Sequence, residues 1–249
     1  MKIVVLDTPE AIAQRAADAV ETVLAARPDA VLGTATGSSP LPLYAELARR
    51  CAAGRLSLAR ATAFMLDEYV GLPDGHPERY HAFMERHLRA VTDLPAERLH
   101  GPEAPAGADD AALEEACRRY EDAMAAAGYC DLQVLGIGSD GHIGFNEPGG
   151  PLSSRTHVGV LADSTRRDNA RFFGGDLDAV PERCLTQGLA TIMEARRIVL
   201  IATGEGKAEA VAAMADGPVS PDLPASVLQE HGDALVLLDP AAASGLRGR

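Results

Sequence analysis

Short apolar runs alternate with longer segments of helical periodicity along the whole chain, and this alternation restricts the fold more than any other feature. Residues 3–6, 30–32, 62–66, 198–202 and 234–238, and the run around Leu132, Val134 and Leu135, read as strands. Thr8 is placed to cap a helix with Pro9 at its first position and Glu10 in its first turn, and Ile12, Ala16, Ala19, Val20 and Val23 give that helix an apolar stripe. Further helices are expected after residue 40 (with Leu43, Leu47 and Ala48 on one side) and over 77–90, 109–127, 164–173, 186–195, 206–215 and 224–230. Gly128 supplies the stop of the 109–127 helix. Residues 156–161 alternate as a strand. The sum is an α/β fold: a three-layer, Rossmann-like arrangement with a mostly parallel sheet and helices on both faces, built as one domain over residues 1–249. Residues 101–108, rich in Pro, Ala and Gly, form the loosest connection, and 241–249 are expected to be loosely attached.

In sheets of this kind ligands bind beyond the carboxyl ends of the strands, where the strand order reverses. Three polar clusters follow expected strands closely: GTATGSSP after residue 32, LDEY after residue 65, and GSDGHIGFNEP after Ile137, just beyond the Leu132–Leu135 run. Their shared placement implies one site. In the third, glycines allow a sharp turn, and Asp140 and Glu147 bracket His142, the composition needed to orient an imidazole and set its charge near neutral pH. In the first, Thr36, Gly37, Ser38 and Ser39 precede a helix, so amides and hydroxyls there can cradle an anion, with Arg171 and Lys207 as candidate cations. Asp67 closes a strand beside an apolar wall and suits a general base. Glu68 is given no role.

A net charge of −13 argues against nonspecific nucleic-acid binding or an anionic membrane surface, and leaves a small phosphorylated ligand open. Cys51, Cys117, Cys130 and Cys184 lie far apart without a C-x-x-C pair, which suggests neither zinc nor disulfides. His76, His81 and His87 lack the i, i+4 spacing of a helical zinc site, so no metal is expected. The N-terminal apolar run is too short for a signal peptide and none is long enough to span a bilayer, which points to the cytoplasm. Homo-oligomerisation is left open.

Taken together, ATGSSPLPLY, LDEYVGLP, HPERY, GIGSDGHIGFNEPG, SSRT, DSTRRDNARFF and VPERCLTQGLATIMEAR resemble the glucosamine-6-phosphate deaminase family, from near the N-terminus to about Asp239. The resemblance implies conversion of glucosamine 6-phosphate and water to fructose 6-phosphate and ammonia, without metal or organic cofactor. By motif position, His142 would open the pyranose ring, Asp140 and Glu147 would orient and tune it, and Asp67 would carry a proton from C2 to C1. The phosphate would fall on Thr36, Gly37, Ser38, Ser39, Arg171 and Lys207; separately, the place of residues 149–175 after the histidine and their glycine content suggest a mobile cover. Allosteric members use basic residues shortly after SSRT and a longer C-terminal region; here those positions hold His157 and Gly159, so activation by N-acetylglucosamine 6-phosphate is not expected. Three alternatives stay open: a 6-phosphogluconolactonase, a deaminase of another amino sugar phosphate, and a sugar-phosphate sensor.

Overall fold

The computed structural model describes residues 1–247. In chain order the strands are β1 (Lys2–Val5), β2 (Val31–Thr34), β3 (Thr62–Met65), β4 (Asp67–Tyr69), β5 (Leu99–His100), β6 (Leu132–Leu135), β7 (His157–Val160), β8 (Arg183–Thr186), β9 (Ile198–Ala202) and β10 (Ala234–Leu238). The helices are α1 (Pro9–Ala26), α2 (Leu41–Ala52), α3 (Tyr80–His87), α4 (Asp110–Ala126), α5 (Asp163–Asn169), α6 (Leu189–Met193) and α7 (Ala208–Asp216). Seven strands form one sheet in the order β1-β10-β9-β6-β2-β3-β5, each pair parallel.

The order reverses between β2 and β6. From β2 the chain steps outward to β3 and β5; from β6 it steps the other way to β9 and β10. Right-handed crossovers then put α1 and α2 on one face and α4, α6 and α7 on the other, and the loops leaving β2 and β6 diverge to open a crevice. The central strands are buried along their whole length, as a sheet covered on both faces requires. Ile198, Val199 and Leu200 are fully buried in β9, and truncating Leu200 to alanine would cost about 2–5 kcal/mol.

Local signals place most elements where the sequence does. Thr8 Oγ1 accepts from the Ala11 amide at 3.1 Å, and Asp109 Oδ1 accepts from that of Ala112 at 2.9 Å, each capping its helix. The second sheet is new. β4 pairs antiparallel with β8, and β8 with β7. Thr186 therefore ends a strand over 183–186, where 183–185 had no expected element, instead of starting the expected 186–195 helix, which is reduced to α6. The 77–90 helix is also shorter, because α3 begins at Tyr80, where Glu68 takes its first amides: those of Tyr80 and His81 donate to the carboxylate at 2.9 Å each. The C-terminal expectation is corrected over 241–247, where Ala242 is buried and Leu246 packs against the main core. Residues 248–249 lie outside the described ones.

Candidate active site

The crevice between β2 and β6 is a cleft of about 430 Å³. Its lining takes in Thr36, Gly37, Ser38 and Ser39 after β2, Asp67 after β3, His142 after β6, Lys207 after β9, and Arg171 beyond α5. Four strand ends thus bring seven of the ten candidate residues to one cavity, and the segment after α5 brings an eighth, Arg171. The other two, Asp140 and Glu147, stand behind His142 rather than on the cleft wall.

The His142 loop is shaped by its glycines. Gly138 accommodates the imidazole against its backbone: a Cβ there would lie 2.3 Å from Cε1 and Nδ1 of His142. Gly141 turns with φ +87°, in the left-handed region that favours glycine, and its carbonyl accepts from Ala225 at 2.9 Å. Asp140 Oδ1 accepts from the His142 amide at 3.2 Å and lies 2.7 Å from its Nδ1. Glu147 Oε2 is 3.8 Å from the same nitrogen. The Nδ1–H axis is aligned on neither oxygen, and Glu147 Oε2 is buried without a partner. Burial raises the Asp140 pKa, but the hydrogen bonds and charge of His142 outweigh it and hold the carboxyl at about 2. The nitrogen left for a ligand is Nε2.

Asp140, His142 and Glu147 each bring a ligand-capable atom within 4.8 Å of the others, which is also the make-up of a cation site. Two ligands on a tetrahedral zinc stand about 3.3 Å apart. The 2.7 Å contact is tighter than that, so the geometry favours a proton-holding cluster.

Asp67 is 5 % exposed. Burial, and after it the charge of Glu68, push its carboxyl well above the usual carboxylate range. Its backbone is held on both sides: Leu66 donates to Thr34 O at 2.8 Å, and the Gln187 amide donates to Leu66 O at 2.9 Å. Just upstream, Met65 O accepts from Gln187 Nε2 at 3.0 Å and from the Tyr120 hydroxyl. A strand end so fixed can keep a carboxylate on one side of a ligand.

On the opposite wall, Gly37 turns at φ +89° ahead of α2. None of the amides of residues 36–39 meets an acceptor among the described residues, so they are free for an anion. Beneath them the Tyr44 hydroxyl braces Ala35, accepting from its amide at 3.1 Å and donating to its carbonyl at 2.6 Å. Burial lowers the Lys207 pKa, the charges of Asp168 and Asp140 oppose it, and Arg171 adds to it. Arg171 is exposed and lies over the Phe172 ring, 4.7 Å from its centroid.

Several residues here escaped the sequence reading. Thr165 is buried and donates to Glu147 Oε1 at 2.7 Å, and the Ala162 amide donates to the same oxygen at 3.2 Å. Asn169 donates to the Tyr69 hydroxyl at 2.9 Å. Thr165, Asp168, Asn169 and Phe172 all line the cleft, and their i, i+3, i+4, i+7 spacing was the signal that could have found them.

A family model described as glucosamine-6-phosphate isomerases/6-phosphogluconolactonase matches residues 7–237. The chain belongs to this family. Among its members, a glucosamine-6-phosphate deaminase of Beutenbergia cavernae is 53% identical over 247 residues, covering 99% of this chain and 93% of that one. A glucosamine-6-phosphate deaminase 2 of Bacillus subtilis is 44% identical over 248 residues, covering 99% and 98%. A solved structure of a monomeric glucosamine-6-phosphate deaminase superposes with a TM-score of 0.93 at 43% identity, over 98% of this chain and all of that one. The 6-phosphogluconolactonase of Trypanosoma brucei, at 21% identity and a TM-score of 0.80 over 98% of each chain, shares the fold.

Proposed function

We propose that this chain is a glucosamine-6-phosphate deaminase acting in amino-sugar metabolism, converting its substrate and water to fructose 6-phosphate and ammonia. The observation that carries the reading is that Asp67, His142, the 36–39 loop and Lys207 open onto one cleft. The names of the similar relatives support the reaction class over lactone hydrolysis.

A cyclic amino sugar cannot lose its C2 proton usefully until its aldehyde is exposed, so two acid–base centres are needed. His142 takes the first step. Asp140 stands 2.7 Å from Nδ1 and Glu147 3.8 Å from it, and Nε2 is left to accept the anomeric hydroxyl proton and return one to the ring oxygen. Asp67 takes the second. A carboxylate with a raised pKa is basic enough to remove the C2 proton and acidic enough to deliver it to C1. The product imine is then hydrolysed by water to release ammonia. The amides of 36–39, with Lys207 and Arg171, hold the phosphate and so fix the sugar between the two groups. Residues 149–175 act as the cover; Glu147 and Asn169 tie them to the site.

The similar monomeric glucosamine-6-phosphate deaminase supports a monomer as the working unit. No helix of the described residues is long and apolar enough to cross a membrane, which is consistent with the cytoplasmic placement proposed here. The test is a pair of coupled assays on purified protein. Ammonia release from glucosamine 6-phosphate is expected, and turnover of 6-phosphogluconolactone alone would end the deaminase reading.

A further inference from the structure

We propose that Asp168 is an internal counter-anion of the phosphate site, occupying the field of Lys207 and Arg171 when the cleft is empty and setting how weakly a phosphate is held. The inference rests on the phosphate-site reading given above and adds a residue that weakens binding to those that create it.

α5 and the turn that follows it run along the cleft. Thr165, Asp168, Asn169 and Phe172 form the face that lines the cleft. That face is anchored at two points: Thr165 on Glu147 at 2.7 Å, and Asn169 on the Tyr69 hydroxyl at 2.9 Å. Asp168 lies between the anchors, exposed to solvent on the wall of the cleft. The other charged residues of the helix are engaged elsewhere. Arg166 donates to the carbonyls of Leu177 and Val180, and Arg167 lies 3.8 Å from Asp163. Asp168 forms no ion pair within 4 Å among the described residues, yet its charge raises the Lys207 pKa and is the largest attractive influence on that amine.

An acid in a phosphate cleft opposes the ligand twice. It repels the incoming dianion, and it neutralises in advance the cation meant to receive it. The same repulsion speeds the departure of a product that still carries its phosphate, so the residue trades affinity for turnover. At a separation of several ångströms and in a half-solvated cleft, one such charge changes affinity by about 3- to 10-fold at low ionic strength, and less at high salt.

The experiment measures competitive inhibition by inorganic phosphate, and KM for glucosamine 6-phosphate, in the wild type and four variants. Asp168→Asn should lower both constants about 3- to 10-fold, with the gain shrinking as salt is raised. Asp168→Glu, which keeps the charge, should stay near the wild type. Asp163→Asn makes the same change in net charge on an exposed residue outside the cleft, and should move neither constant. Lys207→Ala should raise both. If Lys207→Ala leaves phosphate inhibition unchanged, the phosphate-site reading is wrong and this inference falls with it. If Lys207→Ala weakens phosphate but Asp168→Asn matches Asp163→Asn, the phosphate site stands and the role given to Asp168 is overturned.

Discussion

Replacing Thr165 by valine removes one hydroxyl and almost nothing else, which makes it a sharp probe of how the cover meets the histidine. The side chain is buried, and its hydroxyl donates to Glu147 Oε1 at 2.7 Å. The remaining donor to that oxygen is the Ala162 amide, at a longer 3.2 Å. A hydrogen bond to a charged group contributes about 1.5–3 kcal/mol, and valine keeps the volume, so this is the expected loss of stability. For a chain of this size it corresponds to a fall in Tm of about 3–12 °C. The functional consequence runs through Glu147. Freed of its best donor, the carboxylate can swing its unpartnered Oε2 toward His142 Nδ1, now 3.8 Å away, and disturb the group proposed to open the sugar ring. Differential scanning calorimetry and steady-state ammonia release read the two effects separately. Thr165→Val should lower both Tm and kcat, and Thr165→Ser should restore both. A valine variant with unchanged Tm and kcat would refute the claim that this hydroxyl holds Glu147.

Three further outcomes follow from the same geometry. Because burial raises the Asp67 pKa, the native state keeps a proton that the unfolded chain releases near pH 4, so the carboxylate costs stability as pH rises through its native pKa. Asp67→Asn should therefore melt with the wild type below pH 4 and above it at pH 7–8, and Tm values that stay equal across that range would contradict the raised pKa. Asp239 accepts from the Gly204 amide at 2.9 and 3.1 Å and so sets the turn leading to Lys207; Asp239→Ala should raise KM several-fold while kcat changes little, measured by the same assay. N-acetylglucosamine 6-phosphate should not activate, since β7 carries His157 and Gly159 where a basic effector site would be needed, and a strong rise in rate at low substrate would overturn this.

Six strands of the main sheet were legible because they are largely apolar runs, and β9 and β10 fall on residues 198–202 and 234–238 as read, whereas β5, only Leu99 and His100, carries too little pattern to be seen. Of the small sheet, only β7 was legible, within the strand expected over 156–161. β4 consists of Asp, Glu and Tyr, which reads as a polar turn, and its strand character comes from pairing with β8, more than a hundred residues away. β8 was hidden by the helix-forming residues after it. At the site, clusters next to strand ends were found because the fold class itself directs attention there. Asp140 and Glu147 were read as flanking His142, but their place behind it, away from the cleft wall, depends on the turn at Gly141. Glu68 looked idle because its partners, the first amides of α3, are twelve and thirteen residues on. Arg50, buried among Glu46, Glu21 and Asp18 between α1 and α2, shows the same limit: its spacing from Glu46 is visible in sequence and the other two partners are not.

The central claim is that Asp67 moves a proton between neighbouring carbons of the opened sugar. The most direct test runs the reaction in deuterium oxide and follows both ammonia and the label at C1 of fructose 6-phosphate by NMR. Wild-type protein should release ammonia and leave C1 short of a full solvent deuterium, because the proton taken from C2 returns there, whereas Asp67→Asn should bind the sugar phosphate yet release no ammonia. Ammonia from the asparagine variant at a rate near that of the wild type would contradict the account.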